Sequence, residues 1–224
     1  MTFSIVGRCD ETGQLGIAIS SSSIAVGARC PWLLPGVGAV STQNITLPAL
    51  GPQVLEHMEH GLTPAQALDK ALTSNGYSQF RQITAIDHLG RTAHFSGSET
   101  LGTHHALTGE QCVAAGNMLA KGEVIEALVW TFEASGGQLA DRLLAAMEAA
   151  IAAGGEAGPV HSAALIVVGE LTWPIINLRV DWADEDPIGE LTRLWTAYRP
   201  QTEGYIADAL DPGKTPGQAS GSKP

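Results

Sequence analysis

The sequence predicts an α+β protein: two antiparallel sheets packed face to face, with helices outside each. Three observations predict it. Segments that alternate apolar and polar residues, as strands do, come in groups, whereas segments with apolar residues spaced near 3.6 come in pairs. Their order is strands, helix pair, strands, helix pair, strands, helix, unlike the strict alternation of a parallel doubly wound sheet. Hydrophobic residues make up 44% of the 224 and charged residues 16%, enough apolar material for a sizeable core.

The first strand covers Thr2 to Cys9, with Phe3, Ile5 and Gly7 on one face and Thr2, Ser4 and Val6 on the other. Asp10–Gln14 forms a turn into a second strand, Leu15 to Ser23. The first strand is thus paired at once, and a central position is expected for it. Pro31 and Pro35-Gly36 make the next stretch a loop. Val37–Thr42 reads as a third strand, ending at Gln43-Asn44. Helices follow over Gln53–Glu59 and from Thr63-Pro64 to Asn75-Gly76, the second opened by an N-cap with Pro at its first position. Phe80–Asp87 and Arg91–Gly97 alternate as strands, Ser98–His105 is a polar loop, and a short strand over Cys112–Ala115 runs into Gly116-Asn117.

Val124, Ile125, Leu128, Val129 and Phe132 form one helical stripe, and Leu139, Leu143, Leu144, Met147 and Ile151 another, which predicts an αα-hairpin. Ser162–Val168 is almost wholly apolar and is expected inside a sheet, with Ile175–Asp181 beside it. Asp186-Pro187 caps a last helix to Tyr198. Residues 1–212 read as one domain and 213–224, rich in Gly, Pro, Ser and Lys, as a disordered tail.

A net charge of −11 argues against nucleic acid and against acidic membrane surfaces, since both require a basic stripe. No charged leader with an apolar run opens the sequence, and the longest apolar runs fall short of a membrane span. Cys9, Cys30 and Cys112 form no CxxC pair and read as reduced thiols, so a cytoplasmic location is expected. No phosphate-cradling glycine loop is present, and His104-His105 lacks a third ligand at zinc-like spacing. Neither a cofactor nor a metal is expected. His57 and His60 beside Glu56 and Glu59 read as a solvated helix face.

Thr2 is the residue with the sharpest chemical reading. Removal of Met1 would place a hydroxyl and an α-amine of pKa near ~8 on one residue, so the amine could act as base for its own hydroxyl. The plain alternative is a strand that happens to begin with Thr. Ser20–Ser23 end the neighbouring strand, which sets two of them near Thr2; serines also simply tolerate sheet ends. Arg29 has the fork to grip a carboxylate, or is an ordinary surface arginine. Gln43, Asn44 and Asn117 are amides at strand ends, either donors to a carbonyl or turn formers.

Met1–Val6, Gly16–Ser22, Val26–Trp32, Gly36–Asn44, Ala114–Leu119, Leu178–Asp181 and Leu194-Trp195 together resemble the bacterial family called domain of unknown function 1028. The resemblance runs from Thr2 to about Pro212. It implies a four-layer αββα sandwich of the N-terminal-nucleophile (Ntn) hydrolase kind and, more weakly, amide hydrolysis by the N-terminal residue. Thr2 would then be nucleophile and, through its amine, base. Ser21 would support it, Asn117 and Gln43 would stabilise the oxyanion, and Arg29 would hold a substrate carboxylate. Asn44 and His104 complete the expected substrate-binding set. The substrate class is a small amide, such as an N-carbamoyl or cyclic ureide compound. A second copy of the chain, in a homodimer, is the other partner expected. In related proteasome-type enzymes a Lys and an Asp assist. Here the third strand has no Lys, Ser22 stands where relatives often carry a basic residue, and Leu47 stands where Asn or Asp is expected. The rival reading is a non-catalytic member of the same fold that binds a metabolite or a partner enzyme.

Overall fold

The structure, a computed structural model, describes residues 1–214. Among the described residues ten strands form two sheets, and all paired neighbours are antiparallel. The strands are β1 (Thr2–Arg8), β2 (Leu15–Ser21), β3 (Pro31–Leu34), β4 (Gly38–Asn44), β5 (Arg81–Asp87), β6 (Thr92–Ser96), β7 (His105–Gly109), β8 (Cys112–Asn117), β9 (Ser162–Val168) and β10 (Ile176–Val180). The larger sheet has the order β10-β9-β2-β1-β8-β7 and the smaller β3-β4-β5-β6. The N-terminal strand is therefore central, flanked by β2 and β8, with Phe3 opposite Ser20 on one side and Gly116 on the other.

Alternation along each strand distributes its side chains between two cores. Phe3 and Ile5 pack outward against α3 (Glu123–Ala134) and α4 (Leu139–Ala152), among Leu128, Phe132, Leu143 and Met147. The fit is close at Gly7, where an added Cβ would lie 2.7 Å from the Phe132 ring. On the smaller sheet, Val40, Ile83 and Ala85 face α1 (Leu50–Glu59) and α2 (Pro64–Thr73). Between the sheets Val6, Leu15, Ile17 and Ile19 meet Ala39 and Ile86. The result is the four-layer αββα sandwich. Helix α5 (Pro187–Tyr198) covers β9 and β10 with Ile188, Leu191 and Trp195.

The helix starts follow their sequence signals. Thr63 Oγ1 accepts from Gln66 N, and Thr63 N donates to Gln66 Oε1 at 3.0 Å, closing a capping box. Asp186 accepts from Gly189 N at 2.9 Å ahead of Pro187. Three elements escaped the pattern. Pro31 opens β3, an edge strand, where a missing N–H is tolerated, so the expected loop is partly strand. Another edge strand, β7 in the larger sheet, is short, and none of its residues is fully buried. Helix α6 (Thr202–Leu210) buries no residue and so leaves no apolar stripe in the sequence. Of the expected tail, Gly213 and Lys214 belong to a 3₁₀ turn; the remainder, 215–224, lies outside the described residues. Among the described residues no helix is long and apolar enough to cross a membrane.

Candidate active site at the amino-terminal strand

The layer between the sheets changes character along its length. At one end it is the apolar cluster around Val6 and Ile17. Towards the other, the same strand faces carry Thr2 and Ser4 from β1, Ser21 from β2, Ser41 and Gln43 from β4, Gln82 and Thr84 from β5, and Asn117 from β8, all buried. Buried polar groups are costly unless paired, and most of these are. Ser4 Oγ donates to Gln43 Oε1 at 2.7 Å. Gln43 Nε2 donates to Gln82 Oε1 at 2.9 Å and to the Ala115 carbonyl at 3.1 Å. Gln82 Nε2 donates to the Gly116 carbonyl at 3.0 Å and to Ser96 Oγ at 3.1 Å. Asn117 Nδ2 donates to Gln82 Oε1 at 3.0 Å. Two backbone carbonyls thus fix which way each glutamine amide points, and Gln82 in turn fixes Asn117. Asn117 Oδ1 is left buried with no hydrogen-bond partner.

Thr2 sits in the row that closes this layer. It is directly opposite Asn117 on β8, and its Oγ1 lies 3.2 Å from Ser21 Oγ on β2. Both hydroxyls hydrogen-bond the Met1 carbonyl oxygen. Ser21 Oγ continues to Ser23 Oγ at 2.8 Å, and Arg29 Nη2 donates to Ser23 Oγ at 2.6 Å. Arg29 Nη1 donates to the carbonyls of Ile24 and Ala25. The guanidinium thus fastens the turn after β2, and three of its bonds are spent inside the protein. In this structure the Arg29 side chain tethers that loop.

A further residue closes the row from above. The loop after α4 passes Gly154 and Gly155, both with positive φ, and places Glu156 across the start of β1. Ala157 N donates to the Met118 carbonyl at 2.9 Å on the β8 side, and Glu156 Oε2 accepts from Ser22 N at 3.3 Å on the β2 side. Glu156 Oε1 is buried and unpartnered. Burial pushes this carboxyl up to about 7; the positive charge of the nearby amino terminus and the Ser22 hydrogen bonds oppose the rise. Sequence reasoning missed Glu156. Its available signal was a lone acid in the glycine-rich run Gly154–Pro159. Gln82 was also missed, because a polar residue in an alternating strand reads as solvent-facing.

The other candidates are placed as follows. Gln43 is interior, with both amide hydrogens committed as above. Asn44 has φ 71° and ties loops together: Nδ2 donates to the Phe80 carbonyl at 2.6 Å and Oδ1 accepts from Leu101 N at 3.3 Å. His104 is exposed, and its Nδ1 lies 3.1 Å from the Gly102 carbonyl; it makes no hydrogen bond to Thr2 or Ser21. Cys30 is buried beside Thr46, and burial raises its thiol pKa, which disfavours thiolate chemistry there. Among the described residues no group of three or more His, Cys, Asp or Glu side chains could hold a metal ion.

Fold and site together define an αββα sandwich whose central first strand brings its opening hydroxyl to a buried polar layer. Residues 2–191 match the model of the family of unknown function DUF1028, and the chain belongs to that family. The resemblance read from the sequence extends to about Pro212, beyond the matched residues. The crystal structure of protein SPO2555 from Silicibacter pomeroyi, of the same family, is similar with a TM-score of 0.83 and 33% identity, over 88% of this chain and 85% of that one. Lower likeness extends to Anbu (ancestral beta-subunit) from Yersinia bercovieri, with a TM-score of 0.44 and 10% identity over 97% of this chain and 100% of that one. The Anbu (Gly-1) mutant from Hyphomicrobium sp. strain MC1 gives 0.43 and 12%, over 91% and 97%. No curated protein matches the chain.

Proposed function

We propose that this protein is an amidohydrolase of the N-terminal-nucleophile kind, working through Thr2 after Met1 is removed. The observation that carries the reading is the hydroxyl pair Thr2 Oγ1 and Ser21 Oγ, 3.2 Å apart and both turned onto one carbonyl oxygen at the closed end of the polar layer. In the reaction the Thr2 amine takes the proton from Oγ1, and Oγ1 attacks the substrate carbonyl carbon. The C–N bond breaks as the proton passes to the leaving nitrogen, and water then cleaves the ester and restores the hydroxyl. Hydrolysis of this kind consumes only water and calls for no cofactor. The substrate class is a small amide, with N-carbamoyl compounds and cyclic ureides the first to try.

One observation favours a second reading, a binding protein without catalysis. The amide donors expected at the oxyanion are drawn elsewhere: Gln43 Nε2 has both hydrogens on Gln82 and Ala115, and Asn117 Nδ2 has one of its two on Gln82. One experiment separates the readings. Intact mass establishes whether Met1 is absent, and a panel of small amides is then assayed with the processed protein and with Thr2→Ala. Hydrolysis that disappears in Thr2→Ala supports the enzyme. Full activity in that variant removes Thr2 from the mechanism. Ligand binding without turnover, retained in Thr2→Ala, favours the binding protein.

A further inference from the structure

The polar layer ends in two buried oxygens that lack a donor, Asn117 Oδ1 and Glu156 Oε1. Neither can be relieved by turning the side chain over. Were the Asn117 amide reversed, its oxygen would face Gln82 Oε1, an acceptor whose own orientation is set by Gln82 Nε2 donating to the Gly116 carbonyl. The atom of Asn117 that has no partner at all is therefore an acceptor, whereas an oxyanion site demands a donor. Glu156 has one oxygen on Ser22 N, and its second has no partner.

These two acceptors bracket one place. Asn117 stands directly across from Thr2 on the β8 side of β1. The Glu156 loop is bonded to Met118 just after β8, and its carboxylate reaches Ser22 just after β2, so the carboxyl crosses the opening of β1. The positive charge of the amino terminus acts on Glu156 and also on the Cys30 thiol. A primary ammonium has three donors, two of which these oxygens can take.

We propose that Asn117 Oδ1 and the Glu156 carboxylate form the receptor for the α-amino group of Thr2 once Met1 is gone, holding that amine beside its own hydroxyl. The proposal rests on the Thr2 reading above and makes both residues positioning residues: they act on substrate only through the amine that serves as base. It also replaces the oxyanion role expected for Asn117.

The test needs no substrate. In protein shown by intact mass to begin at Thr2, the pKa of the α-amine is read from the pH dependence of its reductive methylation, quantified on the N-terminal peptide by mass spectrometry. Wild type is compared with Glu156→Gln, which keeps an oxygen for Ser22 N, and with Asn117→Leu. The other ionisable groups near this terminus, the Cys30 thiol and the Arg29 guanidinium that acts on it, are the same in all three proteins. Loss of the carboxylate should lower the amine pKa, so that methylation at pH 7 speeds up about tenfold, the equivalent of one pKa unit. Asn117→Leu should give a smaller rise, about threefold. An amine that titrates identically in wild type and Glu156→Gln overturns the proposal. A change in Glu156→Gln with none in Asn117→Leu overturns the part assigned to the asparagine. Because methylation is independent of turnover, this failure is distinct from a failure of hydrolysis to depend on Thr2.

Discussion

Glu156→Gln also tests the electrostatics of the site through stability. The Glu156 carboxyl is held at about 7 against an ordinary value of 4.5, with burial the dominant cause. Between those values the unfolded carboxyl ionises while the folded one keeps its proton. Stability is therefore lost as pH rises from about 4.5 to about 7, and the loss is constant above that. At ~1.36 kcal/mol per pH unit the full cost is about 3 kcal/mol, an upper figure because the side chain relaxes when charged. Gln in the same place has no such term. Urea unfolding of both proteins with Met1 retained, so that no Thr2 ammonium pairs with the carboxyl, at a series of pH values should give a difference that grows in favour of the glutamine variant from pH 4.5 to 7 and then levels. With an m-value of roughly 2–3 kcal/mol/M the midpoints should separate by about 1 M. Any fixed packing cost of the amide shifts the whole difference curve without changing its slope. A flat difference curve, or one in which wild type gains as pH rises, would refute the assignment of Glu156 as a carboxyl desolvated at the strand end.

The remaining predictions concern the strand and its supports. A chain carrying a non-removable residue before Thr2 should melt at the wild-type temperature yet show no hydrolysis. In the processed chain Thr2→Ser should retain part of the activity, which should rise with pH through the pKa of the amine, ordinarily near ~8. Gly7→Ala should lower stability by about 1–3 kcal/mol, because the new Cβ would lie 2.7 Å from the Phe132 ring; thermal melting by circular dichroism checks it, and an unchanged melting temperature would contradict the packing. Gln82→Leu strips Asn117 Nδ2 and the Gly116 carbonyl of a buried partner, and at roughly 1–3 kcal/mol for each group left unpaired it should shift the urea midpoint clearly downward.

Sequence periodicity sufficed for the layers because the outer cores obey it. Phe3 and Ile5 face helices, Thr2 and Val6 face the other sheet, and the two helix pairs carry apolar stripes. Edge strands and α6 were less visible, since an element that buries little imposes little pattern. The site divides along the same line. Thr2, Ser21 and Asn117 could be named because each ends a strand next to β1 or on it. Their roles could not, since donor and acceptor assignments depend on which carbonyl each amide meets, and the Ala115 and Gly116 carbonyls come from a different sheet than Gln43 and Gln82. Arg29 shows the same limit. Its charge was evident, but the backbone carbonyls that occupy it belong to a turn whose shape only the fold determines.

The strand order explains why position 2 is special in this architecture. A residue at the start of an edge strand would have an open flank, but β1 lies between β2 and β8, and the smaller sheet covers its inner face. Thr2 is consequently enclosed on both flanks and from one face, with Glu156 across the remaining end. In that enclosure the Met1 carbonyl oxygen satisfies the hydroxyls of both Thr2 and Ser21. Loss of a single residue would thus do three things at one point. It takes away the acceptor shared by two hydroxyls, clears the space that acceptor filled, and creates an amine facing two acceptors that have no donor. A layer built only for stability would continue the Val6 and Ile17 pattern to its end. Eight buried polar side chains are kept there instead; Asn117 Oδ1 is left without a donor opposite the start of the chain, and Thr84 Oγ1 without a partner deeper in the layer.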